Sequence, residues 1–199
     1  MSDHYYSSKP SSITDQREII TELRGQSFRF LSDAGVFSKK GIDQGSRILI
    51  ESLDIEDQSD VLDLGCGYGP IGISVAKIFS TSNVTMVDIN QRAIELAKEN
   101  AALNRVTERV TIFPSDGFQE VTGLYHHIIT NPPIRIGKKQ IYDFFEKARD
   151  YMNPNGKLWI VIRKQQGASS AVRKLEEVYD KVEVVTKDKG YWILVAQCR

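Results

Sequence analysis

Apolar and polar positions follow two different periods along this chain, and from Asp60 onward the two alternate regularly. DVLDLG is a short continuous apolar run of the kind buried in a parallel sheet, and PIGISVAKIF after it has helical apolar spacing. NVTMVDI reads as a strand, followed by NQRAIELAKENAALN, a helix with Ile94, Ala97, Ala101 and Leu103 on one side. RVTIFPSD and HHIITNPP are further strands; IYDFFEKARDYM is a helix and KLWIVIR a strand. A shorter helix around 171–179 precedes two last strands, KVEVVTK and YWILVAQ. The turn Lys187-Asp188-Lys189-Gly190 between them makes that pair antiparallel. The alternation predicts an α/β fold, a doubly wound Rossmann-like sheet, mostly parallel and closed by a C-terminal antiparallel hairpin.

The first sixty residues follow a different pattern. EIITEL and SFRFL flank Arg24-Gly25-Gln26 and read as a β-hairpin, and Asp43 is placed to cap a helix through Ile48, Leu49, Ile50 and Leu53. Residues 1–14 are polar apart from Tyr5 and Tyr6 and read as an arm. The expected division is an arm and hairpin over 1–34, packed on a main domain over 35–199.

Composition narrows the class. Of 199 residues, 41% are apolar and 26% charged, ordinary globular usage with enough apolar side chains for one substantial core. Two cysteines, Cys66 and Cys198, cannot build a disulfide framework, and with three histidines there is no zinc-finger spacing. No apolar run approaches the roughly 20 residues of a membrane span, and a cytoplasmic setting without metal is the expectation. Lys+Arg and Asp+Glu balance at 26 each. They are unevenly spread, however: 12 basic and 18 acidic side chains in 1–134, against 14 and 8 in 135–199. A polyanion could be held by the second half.

In a doubly wound sheet, ligands bind beyond the carboxyl ends of the strands. After the first strand of the alternating region comes Asp63-Leu64-Gly65-Cys66-Gly67-Tyr68-Gly69-Pro70, a glycine turn that permits close approach of a ligand to the backbone. Asp88 ends the next strand, about 20 residues past the last glycine, where a carboxylate can accept from ribose hydroxyls. Both features suit any adenosine cofactor. The loop is GxGxG followed by proline, not GxGxxG, and the carboxylate of Asp63 would repel phosphates yet could hold an ammonium group. That favours S-adenosylmethionine over NAD. Asp116, in Ser115-Asp116-Gly117-Phe118, could accept from an adenine amino group with Phe118 near the base, or could simply cap a helix.

The fourth strand runs into Asn131-Pro132-Pro133-Ile134-Arg135. Two prolines fix φ twice and remove two N–H donors, so the strand leaves the sheet rigidly with carbonyls free to accept. Together with the Asn131 side-chain oxygen, that arrangement suits a planar NH2 group whose conjugated lone pair needs positioning more than a base.

VLDLGCGYGPIGI, MVDIN, SDGF and TNPPI together resemble the four motifs of the class I S-adenosylmethionine-dependent methyltransferases. More narrowly, GVFSKKGIDQGSRILI and NPPIR resemble the ribosomal RNA guanine-N2 methyltransferases of the small-subunit methyltransferase C type. The resemblance implies methyl transfer from S-adenosylmethionine to the N2 of a guanine in ribosomal RNA or a ribosomal subunit. It implies cofactor contacts at Asp63, Gly65, Cys66, Gly67, Gly69, Asp88, Ile89, Asp116, Gly117 and Asn131. Asn131, Pro132, Pro133 and Ile134 would form the catalytic turn. Ile134 stands where the family often has Phe or Tyr, so stacking on the base has to come from elsewhere, with Phe37 and Tyr68 as candidates.

Basic residues at strand exits form a candidate phosphate rim: Lys39, Lys40, Arg135, Lys138, Lys139, Arg163 and Lys164. A solvated surface is the plainer account of any one of them. His126 and His127 read as surface and core residues rather than catalysts, and Cys66 as a small residue rather than a nucleophile. Three rival functions stay open: a protein glutamine methyltransferase, because a carboxamide is also a planar amine; a non-catalytic RNA-binding module; and an NAD-dependent oxidoreductase.

Overall fold

The computed structural model describes residues 16–33, 41–132 and 137–198. The Tyr5-Tyr6 arm, Phe37, Lys39, Lys40, Pro133, Ile134 and Arg135 lie outside the described residues. The first described elements are a hairpin, β1 (Arg17–Leu23) and β2 (Gln26–Ser32). Its two-residue turn has Arg24 at φ 47° and Gly25 at φ 74°. Two successive positive φ values give the turn the twist that joins antiparallel strands tightly. α1 (Gln44–Ser52) follows, capped by Asp43 as the sequence suggests, with the carboxylate accepting from Ser46 N–H.

A seven-stranded sheet forms the rest. Its strands are β3 (Asp60–Leu64), β4 (Asn83–Asp88), β5 (Val110–Pro114), β6 (Tyr125–Thr130), β7 (Met152–Arg163), β8 (Lys181–Asp188) and β9 (Tyr191–Gln197). The order is β5-β4-β3-β6-β7-β9-β8, with β9 antiparallel to both neighbours and the other pairings parallel. The Rossmann-like sheet with its C-terminal hairpin is therefore present as expected. Crossovers run outward in opposite directions from β3 and β6, so the switch point of the topology lies between the carboxyl ends of those two strands.

Helices cover both faces. α1, α2 (Pro70–Ile78), α3 (Gln91–Leu103) and the hairpin share one core that includes Phe28, Phe30, Leu49, Ile73, Ile94 and Trp159. α4 (Lys138–Ala148) and α5 (Ala168–Val178) cover the other, with Phe118, Phe145, Ile160 and Leu175 inside. Two details differ from the sequence reading. Leu103 is 38% exposed, because nine residues past Ile94 is half a helical turn out of phase with the buried stripe. α5 begins at Ala168.

The hairpin is fastened by two asparagines one turn apart on α3. Asn100 accepts from Leu31 N–H at 2.6 Å and donates to Leu31 O at 2.9 Å; Asn104 accepts from Arg29 N–H at 3.2 Å and donates to Arg29 O at 2.6 Å. The two side-chain amides stand in for a neighbouring strand along the outer edge of β2, which would otherwise leave unpaired backbone groups. Asn100 is fully buried and also donates to Tyr68 O at 2.8 Å, linking the hairpin to the glycine turn. Asn100→Ala leaves three backbone groups without partners. It is expected to lower the unfolding free energy by about 3 kcal/mol in chemical denaturation.

Candidate cofactor and amine site

At the switch point, the end of β3 turns into α2 through the glycine loop. Gly65, Gly67 and Gly69 all have positive φ, at 77°, 57° and 98°. Gly69 caps α2 in the left-handed conformation and Pro70 occupies the first turn, where its missing N–H is no loss. A methyl group on Gly69 would come 2.6 Å from Ile73 Cδ1, whereas one on Gly65 would meet nothing within 4 Å. Gly69 is thus a packing glycine, and Gly65 leaves open space beside a turn that an L side chain rarely adopts.

The loop is pinned from below. Gly65 and Cys66 N–H both donate to Val87 O at 2.9 Å, and Gly67 N–H donates to Asp88 Oδ2 at 2.8 Å. Asp88 Oδ1 accepts from Asn90 N–H at 2.8 Å. The Asp88 carboxylate is 3% exposed and holds the loop as well as standing at the end of β4, with half-buried Ile89 beside it.

Asp63 is 1% exposed. Its Oδ2 accepts from Gly72 N–H at 2.8 Å, and its Oδ1 is buried with no hydrogen-bond partner among the described residues. Burial pushes the carboxyl up to about 7; the Gly72 N–H pulls it down, and the Asp88 charge raises it. A buried carboxylate oxygen without a donor is costly, and a cationic ligand group would relieve it. Sequence reasoning missed Gly72, where a methyl group would strike Met86 and Asp63 Oδ2 at 2.7–2.9 Å. Its absence of a side chain lets α2 approach closely enough for its N–H to reach Asp63. Cys66 is buried, and desolvation with the nearby Asp63 and Asp88 raises its thiol well above the usual value, so it stays protonated.

After β5, Asp116 is exposed and Gly117 takes φ 56°. Asp116 caps no helix: residues 116–120 form turns, with Ser115 Oγ accepting from Glu120 N–H at 3.1 Å. Phe118 does not face a ligand. It is 2% exposed and stacks on Tyr151 at 4.6 Å, because the turn at Gly117 directs it into the core; half-buried Phe144 is the ring against Gly117. Tyr68, a candidate for stacking on a base, is 1% exposed and packs edge-on against Phe30, so its ring belongs to the core.

Across the switch point, Thr130 Oγ donates to Leu64 O at 2.9 Å and ties the two strand ends together. Asn131 follows, half-buried, with Pro132 buried behind it. Its Nδ2 donates to Asp43 Oδ1 at 3.2 Å and to Ser46 Oγ at 3.0 Å. Both donor hydrogens are therefore engaged by the first turn of α1, and Oδ1 remains as the acceptor. Nothing in the spacing of the sequence joined Asp43 and Ser46 to Asn131. Lys138 and Lys139 are exposed in the first turn of α4, and Arg163 and Lys164 are exposed at the end of β7. His127 lies at the other end of the sheet, its Nε2 2.6 Å from Glu56 and its Nδ1 accepting from Trp159 Nε1 at 3.1 Å. It is a core histidine, away from the glycine loop. Among the described residues no cluster could hold a metal, and no helix is long and apolar enough to cross a membrane.

Residues 27–195 match the methyltransferase small domain family, and the chain belongs to that family. An uncharacterized protein of Bacillus subtilis, YbxB, is 50% identical over 200 residues, covering 99% of each chain. The ribosomal RNA small subunit methyltransferase C of Colwellia psychrerythraea is 34% identical over 182 residues, 88% of this chain and 49% of that one. A T. thermophilus 16S rRNA N2 methyltransferase, solved in complex with AdoMet and guanosine, shares the fold with a TM-score of 0.83. That match has 23% identity and covers 96% of this chain and 52% of the other. The chain spans about half the length of these two ribosomal RNA relatives.

The Asp63 carboxyl, at about 7 in the folded chain, lies above the ordinary 3.8, so between the two the folded chain keeps a proton that the unfolded chain has released. The group's contribution to stability is greatest at the acidic end of that window and is lost as pH rises through about 7. Asp63→Asn should therefore gain stability relative to the wild type as pH rises from 4 to 8, measured by denaturant unfolding at each pH. A difference that does not change with pH would show that Asp63 is not the group responsible.

Proposed function

We propose that this chain transfers a methyl group from S-adenosylmethionine to an exocyclic amine, the N2 of a guanine in ribosomal RNA. The observation that carries the reading is Asn131, placed at the switch point beside the glycine loop with both amide hydrogens engaged and its oxygen left to accept. The relatives named as ribosomal RNA methyltransferases support the choice of RNA and of guanine.

The residues present fit the cofactor. Asp63 has a buried oxygen without a donor, matched to an ammonium group, and Gly65 leaves open space for the methionine part, with Cys66, Gly67 and Gly69 assigned to the same loop around it. Asp88 and Ile89 are assigned to the ribose, and Asp116 and Gly117 to the adenine amine. A carboxylate at Asp63, close to the glycine loop, would repel the pyrophosphate of NAD, which disfavours the oxidoreductase. When bound, S-adenosylmethionine supplies an electrophilic methyl carbon on a sulfonium sulfur. Asn131 Oδ1 and a carbonyl of the Asn131–Pro132 turn accept the two N–H groups of the amine. That contact would favour a pyramidal nitrogen and stabilise the positive charge it gains as the new N–C bond forms, the S–C bond electrons staying on sulfur so that S-adenosylhomocysteine is the leaving product. The extra proton leaves the nitrogen to solvent, so no strong base is required. Pro133 and Ile134, which lie outside the described residues, are assigned to the catalytic turn from the sequence motif. Lys39, Arg135, Lys138 and Lys139 are assigned to RNA phosphates, and the base has to leave its stack to reach the site. The setting this implies is the cytoplasm, with rRNA or a ribosomal subunit as partner.

The direct test supplies radiolabelled S-adenosylmethionine with ribosomal RNA and subunits from a strain lacking the protein, followed by nucleoside analysis. N2-methylguanosine is the expected product; label in protein instead would point to glutamine methylation. Within the same assay, Asn131→Ala should cut turnover by about 100-fold while leaving cofactor affinity near normal. By calorimetry, Asp88→Ala should chiefly weaken cofactor binding.

A further inference from the structure

We propose that Asp43 is a positioning residue for the transfer: its carboxylate fixes which end of the Asn131 amide faces the accepting amine. The inference rests on the function proposed above and assigns a role to a residue that otherwise serves only as a helix cap.

The two ends of an asparagine amide have nearly the same shape and opposite hydrogen-bonding character. Rotation by half a turn about the last side-chain bond exchanges them. Turned one way, Asn131 offers an oxygen to the amine; turned the other, it opposes the amine with its own NH2. An ionised carboxylate can only accept. Asp43 Oδ1, 3.2 Å from Asn131 Nδ2, would face another oxygen if the amide turned over. Ser46 Oγ at 3.0 Å could not enforce this choice, since a hydroxyl accepts or donates as needed. The carboxylate also polarises the amide it binds, placing more negative charge on Asn131 Oδ1, where the reacting nitrogen becomes positive.

Asp43 is itself held firmly. Its Oδ1 accepts from Ser46 N–H at 3.1 Å and its carbonyl from Arg47 N–H at 3.0 Å. A methyl group on Gly45 would come 2.8 Å from Tyr191 Cε1, so the first turn of α1 lies directly on that ring. Arg163 fixes the ring in turn: its guanidinium sits 4.9 Å from the ring centroid, with Nε and Nη2 donating to the Tyr191 hydroxyl at 2.9 and 2.6 Å. Capping alone does not require a carboxylate, because Ser and Asn cap helices about as well as Asp. Only the contact with Asn131 does.

Asp43→Ser separates the two roles, since serine keeps the cap and removes the obligate acceptor. The variant should keep the wild-type melting temperature and bind S-adenosylmethionine normally. Its kcat should fall by about 10- to 100-fold, with KM for RNA little changed. Asp43→Asn should fall between it and the wild type, because its amide can still present an oxygen. In an Asn131→Ala background, Asp43→Ser should cost nothing further, whereas a merely structural role would add its loss to that of Asn131→Ala.

A readout independent of activity is the Asn131 side-chain NH2 signal in a nitrogen-15 spectrum, which should shift and exchange faster with water in Asp43→Ser. Full kcat in Asp43→Ser, additive losses in the double variant, or an unmoved Asn131 signal would each overturn the proposal. If the wild type methylates no guanine while the Asn131 signal responds as described, the functional reading fails, and with it the role in transfer, while the orienting contact of Asp43 on the Asn131 amide stands.

Discussion

Two carboxylates lie almost out of reach of water under the glycine loop, Asp63 and Asp88, each held by backbone N–H groups of the chain that turns above them. Burying two like charges so close together is unfavourable unless hydrogen bonds and a cationic ligand offset it. Here the bonds come from Gly67, Gly72 and Asn90 N–H. The cost is shared with the site: one Asp63 oxygen has no donor among the described residues, and its carboxyl is pushed up to about 7 by burial. The loop is shaped by the same groups that would greet a cofactor, so its conformation and its binding chemistry cannot be altered separately.

The sheet topology then decides what stands opposite that loop. Because the crossovers diverge from β3 and β6, a gap is left between their carboxyl ends, and Thr130 ties the two ends directly. Asn131 enters that gap on a chain stiffened by Pro132. α1 reaches it from an entirely different part of the sequence, seated on the Tyr191 ring at the start of β9. Four segments distant in sequence thus converge within hydrogen-bonding range, and each is held by a contact outside the gap itself. The hairpin contributes at one remove, through Asn100, which binds β2 and the carbonyl of Tyr68 in the loop.

Much of this was legible beforehand because the signals were local. Strand and helix periods, the hairpin turn, the Asp43 cap and the glycine positions depend on neighbours within a few residues, and the structure has them where the pattern puts them. The failures have physical reasons of their own. Hydrophobicity alone places Leu103 on a stripe that the helical angle takes it out of. Its position after Asp116 puts Phe118 near a ligand, but the left-handed turn at Gly117 reverses the chain and sends the ring into the core. Tyr68 sits in the loop by sequence and in the hydrophobic core by burial.

By itself the sequence determined the α/β alternation, the strand ends at which chemistry would collect, and the residue types found there, since all of these follow from local periodicity and from where glycine, proline and carboxylates fall. Tertiary structure alone decided which acceptors remain available. Whether Asp63 has an unpartnered oxygen depends on how closely Gly72 lets α2 approach. Which end of the Asn131 amide is left to act depends on a carboxylate 88 residues away. Hydrogen-bond capacity is a property of each side chain, but its allocation is a property of the packed whole, and no periodicity records it.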